Sequence, residues 1–202
     1  MQHRDQQVLD FAHEHCAHGA WLVTIIAASG SSPRPVGSLL ACADDGTRAG
    51  SVSGGCVEED LLERLAGGEF AGRRAAQVEY GVSAEENARL GLPCGGRLTL
   101  LLQRLGAADR PWLAALGAAI GERRCLCRSV ALASGETTLV DGDTPALPQL
   151  DEGTFRQVFG PQQRLLLVGA GELAASLAEL ALAMDYDVLV TDPRQSVLDQ
   201  WT

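Results

Sequence analysis

The distribution of hydrophobic and polar residues predicts alternating helices and strands over the first hundred positions. Apolar residues recur at helical spacing near the start, and a β-branched run at 21–28 indicates a buried strand. Glycine and proline clusters separate these patterns. In order, the predicted elements are a helix at 5–18, strands at 21–28 and 37–43, a tight turn at 44–46, a helix at 57–66, and strands at 77–80 and 97–103.

The second half of the chain begins with a change in composition and then resumes regular patterns. Its predicted elements are a linker at 104–111, a helix at 112–120, a hairpin of 125–133 with 137–140, a surface connection without periodicity at 141–160, strands at 164–168 and 187–191, and a helix at 173–184 between them. These patterns predict an α/β protein. Its expected parts are an N-terminal α+β domain (1–108), a helix, hairpin and connecting segment (109–160), and the start of a Rossmann-like βαβ domain (161–202), apparently truncated.

A glycine motif marks the last part of the chain. Residues 169–174, GAGELA, follow a predicted strand and lead into a helix, which is typical of a dinucleotide-binding turn. Asp192 follows Gly171 by 21 residues, the spacing at which a carboxylate meets a ribose hydroxyl. Gly169, Gly171 and Asp192 are therefore candidate dinucleotide-binding residues. A mononucleotide-binding half needs about three strands and two helices. Because two strands and one helix are present, the chain is either a fragment or completes this sheet with another piece.

A Ser- and Gly-rich stretch at 29–56 leads into the helix predicted at 57–66. Small residues leave backbone N–H groups free for a ligand, and the helix start adds a positive dipole end, so an anion is favoured. Two turns of opposite order, Gly54-Gly55-Cys56 and Cys94-Gly95-Gly96, predict a two-part cradle. We expect Cys56 and Cys94 to face the ligand. Cys56 should be the more reactive because a helix start favours the thiolate.

Composition and charge narrow the function classes. The chain has 202 residues, 46% hydrophobic and 21% charged, as in ordinary globular proteins. A net charge of −10 disfavours nucleic-acid binding, and the lack of a long apolar run disfavours a membrane span, so a cytoplasmic location is expected. All 16 basic residues are Arg, which excludes lysine-dependent catalysis. All four His lie within the first 18 residues, which disfavours a nucleophile–His dyad.

The motifs resemble those of a known family. SGSSPRPVGS (29–38), GSVSGGCVE (50–58), GLPCGG (91–96) and the closing GAGELA…VTDPR are similar to the XdhC/CoxI family, accessory proteins of molybdenum-containing hydroxylases such as xanthine dehydrogenase. The resemblance covers almost the whole chain and implies a C-terminal Rossmann domain. It implies a chaperone that binds molybdenum cofactor (molybdopterin), assists its sulfuration by a cysteine desulfurase, and delivers it to an apo molybdenum hydroxylase.

The resemblance implicates cofactor-binding residues in three motifs, and no catalytic residue or metal site. They are Ser31, Ser32, Arg34, Gly37 and Ser38; Ser53, Gly54, Gly55, Cys56 and Glu58; and Cys94, Gly95 and Gly96. The phosphate of molybdopterin suits the Gly/Ser loop and Arg34, and its metal end suits a thiol. The other cysteines, Cys16, Cys42, Cys125 and Cys127, are expected in the core.

Several alternatives stay open at this stage. A nucleotide-dependent enzyme, either an NAD(P)-dependent oxidoreductase or a Cys-dependent transferase, would use the glycine motif at 169–174 instead. Glu58 suits a helix-dipole role as well as a ligand role, and Arg34 suits a structural ion pair. The sequence leaves open which molybdoenzyme is served and which form of the cofactor is bound. A homodimer is expected because an incomplete sheet leaves a strand edge to be covered.

Overall fold

The computed structural model describes residues 2–30, 34–83, 85, 96–142, 147–160, 163–184 and 186–201. The predicted mixed α/β class is confirmed, with several sheets and helices. In chain order the elements are α1 (Gln2–His15), β1 (Ala20–Ser29), β2 (Leu39–Ala43), β3 (Arg48–Gly50), α2 (Cys56–Ala66), β4 (Ala75–Tyr80), β5 (Arg97–Leu105), α3 (Arg110–Gly121), β6 (Leu126–Ala131), β7 (Thr137–Asp141), β8 (Gln149–Asp151), β9 (Thr154–Phe159), β10 (Gln163–Val168), α4 (Glu172–Ala183), β11 (Tyr186–Thr191) and α5 (Gln195–Leu198).

The first sheet is antiparallel and has the strand order β3-β2-β1-β5-β4. Its central strand, β1, is covered on both faces, which explains the continuous apolar run in its sequence. Val23 and Ile25 face a core shared with Leu61 of α2. Leu22, on the other face, lies in a core shared with α1 and α3.

A second sheet, with the order β7-β6-β9-β8, packs beside the first. Val130 and Phe155 of this sheet form a buried cluster with Ile26 of β1 and Leu101 of β5. Phe159 joins the core beneath α1 and α3. Residues on both sides of position 108 therefore share one core, and the division into 1–108, 109–160 and 161–202 stays a prediction.

Two local predictions are wrong, and one short strand was not predicted. The segment at 141–160 is not only a surface connection, because it contains β8 and β9, and β9 buries alternate side chains. The linker predicted at 104–111 is divided between β5 and α3, whose junction is held by buried Asp109. Its carboxylate accepts hydrogen bonds from Gly106 N (2.7 Å) and Trp112 Nε1 (2.8 Å). The short strand β3 was not expected, since three residues show no periodicity.

The C-terminal part is a parallel βαβ unit. β10 pairs with β11 in parallel register, and α4 packs Ala174, Ala178 and Ala181 towards them. Large apolar side chains of this unit remain exposed, including Val168 (77%) and Leu173 (75%). Parallel strands are normally covered on both faces, so this unit presents unusually apolar surface.

Candidate functional site

The described parts of all three sequence motifs lie at one end of the first sheet. The 30–38 loop joins β1 to β2, the 51–55 turn joins β3 to α2, and Gly96 directly precedes β5. Ser29 at the end of β1 lies opposite Arg97 at the start of β5, and Gly50 lies opposite Leu40. Because these strands are antiparallel neighbours, the three connections emerge at the same end of the sheet.

The described part of the first loop is held by its own hydrogen bonds. Gly37 N donates to Ile25 O (2.8 Å), and Ile25 N donates to Ser38 O (3.0 Å). Ser38 is buried, and its hydroxyl donates to Pro35 O (2.8 Å). Gly37 adopts φ +90°, a conformation that favours glycine. Arg34, in the same loop, is half-buried.

The second motif is organised by Glu58. Its Oε1 atom accepts four hydrogen bonds, from Ser51 Oγ (2.6 Å) and from the backbone N–H groups of Val52 (2.9 Å), Ser53 (2.8 Å) and Gly54 (2.8 Å). Burial of Glu58 acts to raise its pKa, but these donors outweigh that effect and hold the pKa below its ordinary value. Glu58 is therefore an ionised internal anchor that shapes the turn.

This anchoring changes which donors face outwards. The amides of residues 52–54 already bind Glu58, whereas sequence reasoning treated the whole stretch as free donors. Gly54 and Gly55 are exposed, with open space where a Cβ would lie. The first turn of α2 begins directly after them and carries the positive dipole end of a helix start, although the amides of Gly55 and Glu58 are already bonded, to Ser53 Oγ (3.3 Å) and Gly55 O (2.9 Å).

The cysteines fall into three groups. Cys56 begins α2, but its side chain lies outside the described residues, as does the whole of Cys94. Cys16 and Cys42 are buried as predicted, and burial raises the pKa of Cys42 to about 11. Cys125 and Cys127 are only half-buried, so the predicted core position is not fully adopted.

The remaining site residues are placed as follows. Gly37, Ser38, Glu58 and Gly96 are buried, Arg34 and Ser53 are half-buried, and Gly54 and Gly55 are exposed; Ser31, Ser32, Cys94 and Gly95 lie outside the described residues. Their contact with a cofactor stays a prediction.

A cavity of about 550 Å³ lies at the opposite end of the first sheet. Trp21 and Arg104, which pair in the β1–β5 register, line it together with Asp44. Arg104 donates to both carboxylate oxygens of Asp44, at 2.5 and 2.6 Å. None of the predicted cofactor-binding residues lines this cavity.

The glycine motif of the βαβ unit is held by Asp192. Gly169 has φ +104°, and Gly171 immediately precedes α4. Asp192, which is buried, accepts from Ala170 N (3.0 Å), from Arg194 N (2.9 Å), and from Arg194 Nε and Nη2 (2.9 and 2.8 Å). The Arg194 side chain and these amides hold the pKa of Asp192 well below its usual range. Four donors occupy the usual acceptor positions of a carboxylate, so a ribose hydroxyl would have to displace one.

Two residues at these sites were not identified from the sequence. Arg194 follows Asp192 by two positions in a D-P-R turn, and that proximity was a usable signal. Gln157 of β9 is buried and donates from Nε2 to Gly37 O (2.8 Å). It lies 120 positions from Gly37 in a segment interpreted as surface, so no local pattern indicated this contact.

Comparison with known proteins gives consistent matches. Residues 16–81 match the model of the XdhC and CoxI family. The chain is 33% identical over 178 residues to the molybdenum cofactor insertion chaperone PaoD of Escherichia coli, and 26% identical over 200 residues to a probable xanthine dehydrogenase subunit of Bacillus subtilis. These alignments cover 86% and 87% of this chain. The family indicated by the sequence motifs is confirmed.

A solved structure described as a xanthine dehydrogenase from Bacillus halodurans shares the fold. It matches with a TM-score of 0.64 and 23% identity, over 96% of this chain and 63% of that protein. The chain spans 53% and 60% of the length of the two curated relatives.

Proposed function

We infer that this chain, which belongs to the XdhC and CoxI family, binds molybdenum cofactor as cargo and supports its insertion into a molybdenum hydroxylase of the xanthine dehydrogenase type. The observation that carries this proposal is the position of the described parts of three motifs at one end of the first sheet. The similarity to a molybdenum cofactor insertion chaperone supports the same role.

The proposed site has a polar and a thiol component. The phosphate of molybdopterin would bind the start of α2, where exposed Gly54 and Gly55 let it approach the backbone closely. Arg34 would supply the positive charge. Cys56 begins the same helix, and a helix start lowers the pKa of a thiol, so its thiolate is suited to the metal end of the cofactor.

The finer parts of the proposal concern partners and location. A thiolate beside the metal end would protect the cofactor or assist its sulfuration. The expected partners are therefore a cysteine desulfurase and the apo molybdenum hydroxylase. None of the helices within the described ranges is long and apolar enough to cross a membrane. We place this chemistry in the cytoplasm as part of the proposal.

The direct test is cofactor binding. Apo-protein is titrated with molybdopterin, and bound pterin is measured by fluorescence after ultrafiltration. Cys56→Ser should weaken binding at least about tenfold, the effect of roughly one lost strong contact. Cys125→Ser, which alters a half-buried thiol before β6, is the matched control and should bind like the wild type. Equal binding by both variants, or none by the wild type, would contradict the proposal.

A second candidate function is nucleotide binding by the βαβ unit. The Gly169 turn at the start of α4 favours it, because such a turn places amides against a phosphate. The occupied carboxylate of Asp192 argues against an ordinary ribose contact. Titration with NAD and with NADP, followed by calorimetry, tests this candidate. If neither nucleotide gives a heat of binding, nucleotide binding by this unit is excluded.

A homodimer forms part of the proposal. The exposed apolar side chains Val168, Leu173 and Met184 support it, because such surface is usually covered. Sedimentation velocity at several concentrations should show a dimer that Leu173→Glu disrupts. A monomer at every concentration would contradict this assignment.

A further inference from the structure

Arg128, in β6, is a cation buried in the protein interior. None of its surface is exposed, and its guanidinium contacts neutral groups. Nη1 donates to Thr24 Oγ1 (3.4 Å), Nη2 donates to Gln103 Oε1, and the carbon between them lies 5.4 Å from the centre of the Trp112 ring. Within the described ranges, no carboxylate pairs with Arg128. Burial lowers its pKa to about 9, so it is still charged at neutral pH.

This cation is connected to the 34–38 loop through its neighbours in both sheets. Thr24 is the neighbour of Ile25, whose backbone pairs with Gly37 and Ser38. From the second sheet, Gln157 lies opposite Arg128 in the β6–β9 register and donates to Gly37 O. The guanidinium is therefore linked to the backbone of the loop from both sheets, through Thr24 and Ile25 in the first sheet and through the Gln157 position in the second.

Two polar atoms of this cluster are left without partners. Arg128 Nε and Gln157 Oε1 are buried and have no hydrogen-bond partner among the described residues. A buried charge without a counter-ion is costly, and an apolar residue of similar size would often be at least as stable. The position of Arg128 is better explained by the electric field that it produces at the loop.

We propose that Arg128 is a buried electrostatic residue that increases the affinity of the loop end of the first sheet for a phosphate-bearing anion without touching it. The interior screens a charge much less than water does, so its field reaches the adjacent loop. Gln157 is the positioning residue that fixes the loop above this charge. The inference rests on the proposed function, because that function supplies the anionic ligand.

The experiment uses the pair Thr24→Asp and Thr24→Asn. Both side chains have nearly the same size and can accept the hydrogen bond of Arg128, but only Asp neutralises its charge. Affinity is measured for molybdopterin and for inorganic phosphate at 50 and 500 mM salt, values on the order of the weak and strong screening limits. Thr24→Asp should bind each ligand about tenfold more weakly than Thr24→Asn, at both salt concentrations, while unfolding at no lower urea concentration.

Arg128 itself provides the second arm. Arg128→Lys, which keeps the charge, should bind molybdopterin and phosphate with close to wild-type affinity. Arg128→Met should bind both about tenfold more weakly, like Thr24→Asp. Arg156→Gln, at an exposed position of β9, is the control for total charge. Equal affinities within the Thr24 pair would overturn the inference. Charge-dependent binding of phosphate without binding of molybdopterin would uphold the inference and remove the proposed function, whereas binding of neither ligand would remove both.

Discussion

Replacing Glu58 by glutamine should lower the free energy of unfolding by about 2–4 kcal/mol, because one ionised oxygen accepts four hydrogen bonds in a buried position. A hydrogen bond to a charged group contributes roughly 1.5–3 kcal/mol, and one to a neutral group about 0.5–1.5 kcal/mol. Glutamine keeps one oxygen but loses the charge. A loss of about 1 kcal/mol for each bond, reduced because four donors share one acceptor, gives this range.

The pH dependence of the loss identifies its cause. The pKa of Glu58 is lowered in the folded protein from an ordinary value of 4.5. Its stabilising contribution is therefore complete above about pH 4.5 and is lost as the pH falls through the lower folded-state pKa. The difference between wild type and Glu58→Gln should be constant from pH 6 to 8, on the order of the full loss, and should shrink below about pH 4.5.

Urea unfolding followed by circular dichroism measures both effects. Glu59→Gln is the matched control, since Glu59 lies one position later on the exposed surface of α2 and should change the free energy of unfolding by less than about 0.5 kcal/mol. If Glu58→Gln and Glu59→Gln unfold at the same urea concentration, Glu58 does not anchor the turn. If the loss in free energy of unfolding is the same at low pH, the shape of the Glu58 side chain and not its charge is responsible.

Three further outcomes are expected from the described contacts. Gly37→Ala should lower the free energy of unfolding by about 1–3 kcal/mol more than Gly46→Ala does, as measured by thermal unfolding. Both glycines have a positive φ, but a Cβ at position 37 would lie 3.0 Å from neighbouring side chains, whereas a Cβ at position 46 would meet no atom within 4 Å. Equal losses would refute this prediction. Cys42 should resist iodoacetamide at pH 8 in mass spectrometry, since burial raises its pKa to about 11, while urea-unfolded protein is fully labelled; rapid native labelling would contradict its placement. Asp192→Asn should speed hydrogen exchange at the Ala170 amide at least about tenfold, because a charge-assisted acceptor is lost; unchanged exchange would count against the carboxylate anchor.

The sequence predicted four of the five strands of the first sheet, because local patterns carried that information, and it missed only the short β3. The apolar run of β1 and the helix after Gly54-Gly55 both have strong periodic or turn signals. The antiparallel order of β3, β2, β1 and β5 then brings the loop ends together, which local patterns suggest but do not define.

Three features depended on packing or on the path of the backbone and could not be predicted. β9 alternates buried Phe155, Gln157 and Phe159 with more exposed residues, but polar Gln157 interrupts the apolar side of that pattern. Arg128 shares the buried side of β6 with Leu126 and Val130, where a cation interrupts the apolar pattern, and Thr24 and Gln103 of the first sheet cover it. Likewise, Glu58 has the sequence position of a helix-dipole acid, and its bonds to residues 51–54 follow from the path of the turn.

The internal carboxylate of Glu58 has a consequence for cargo exchange. A carboxylate of the chain itself already fixes residues 51–54, so this part of the proposed receiving surface is pre-organised before any cofactor arrives. A pre-organised segment needs no ordering when the cofactor is captured, so binding there avoids that entropic penalty. Under the proposed function, the rate of handover would then be governed by the relative affinity of the recipient enzyme, with the carrier unchanged and ready for another round.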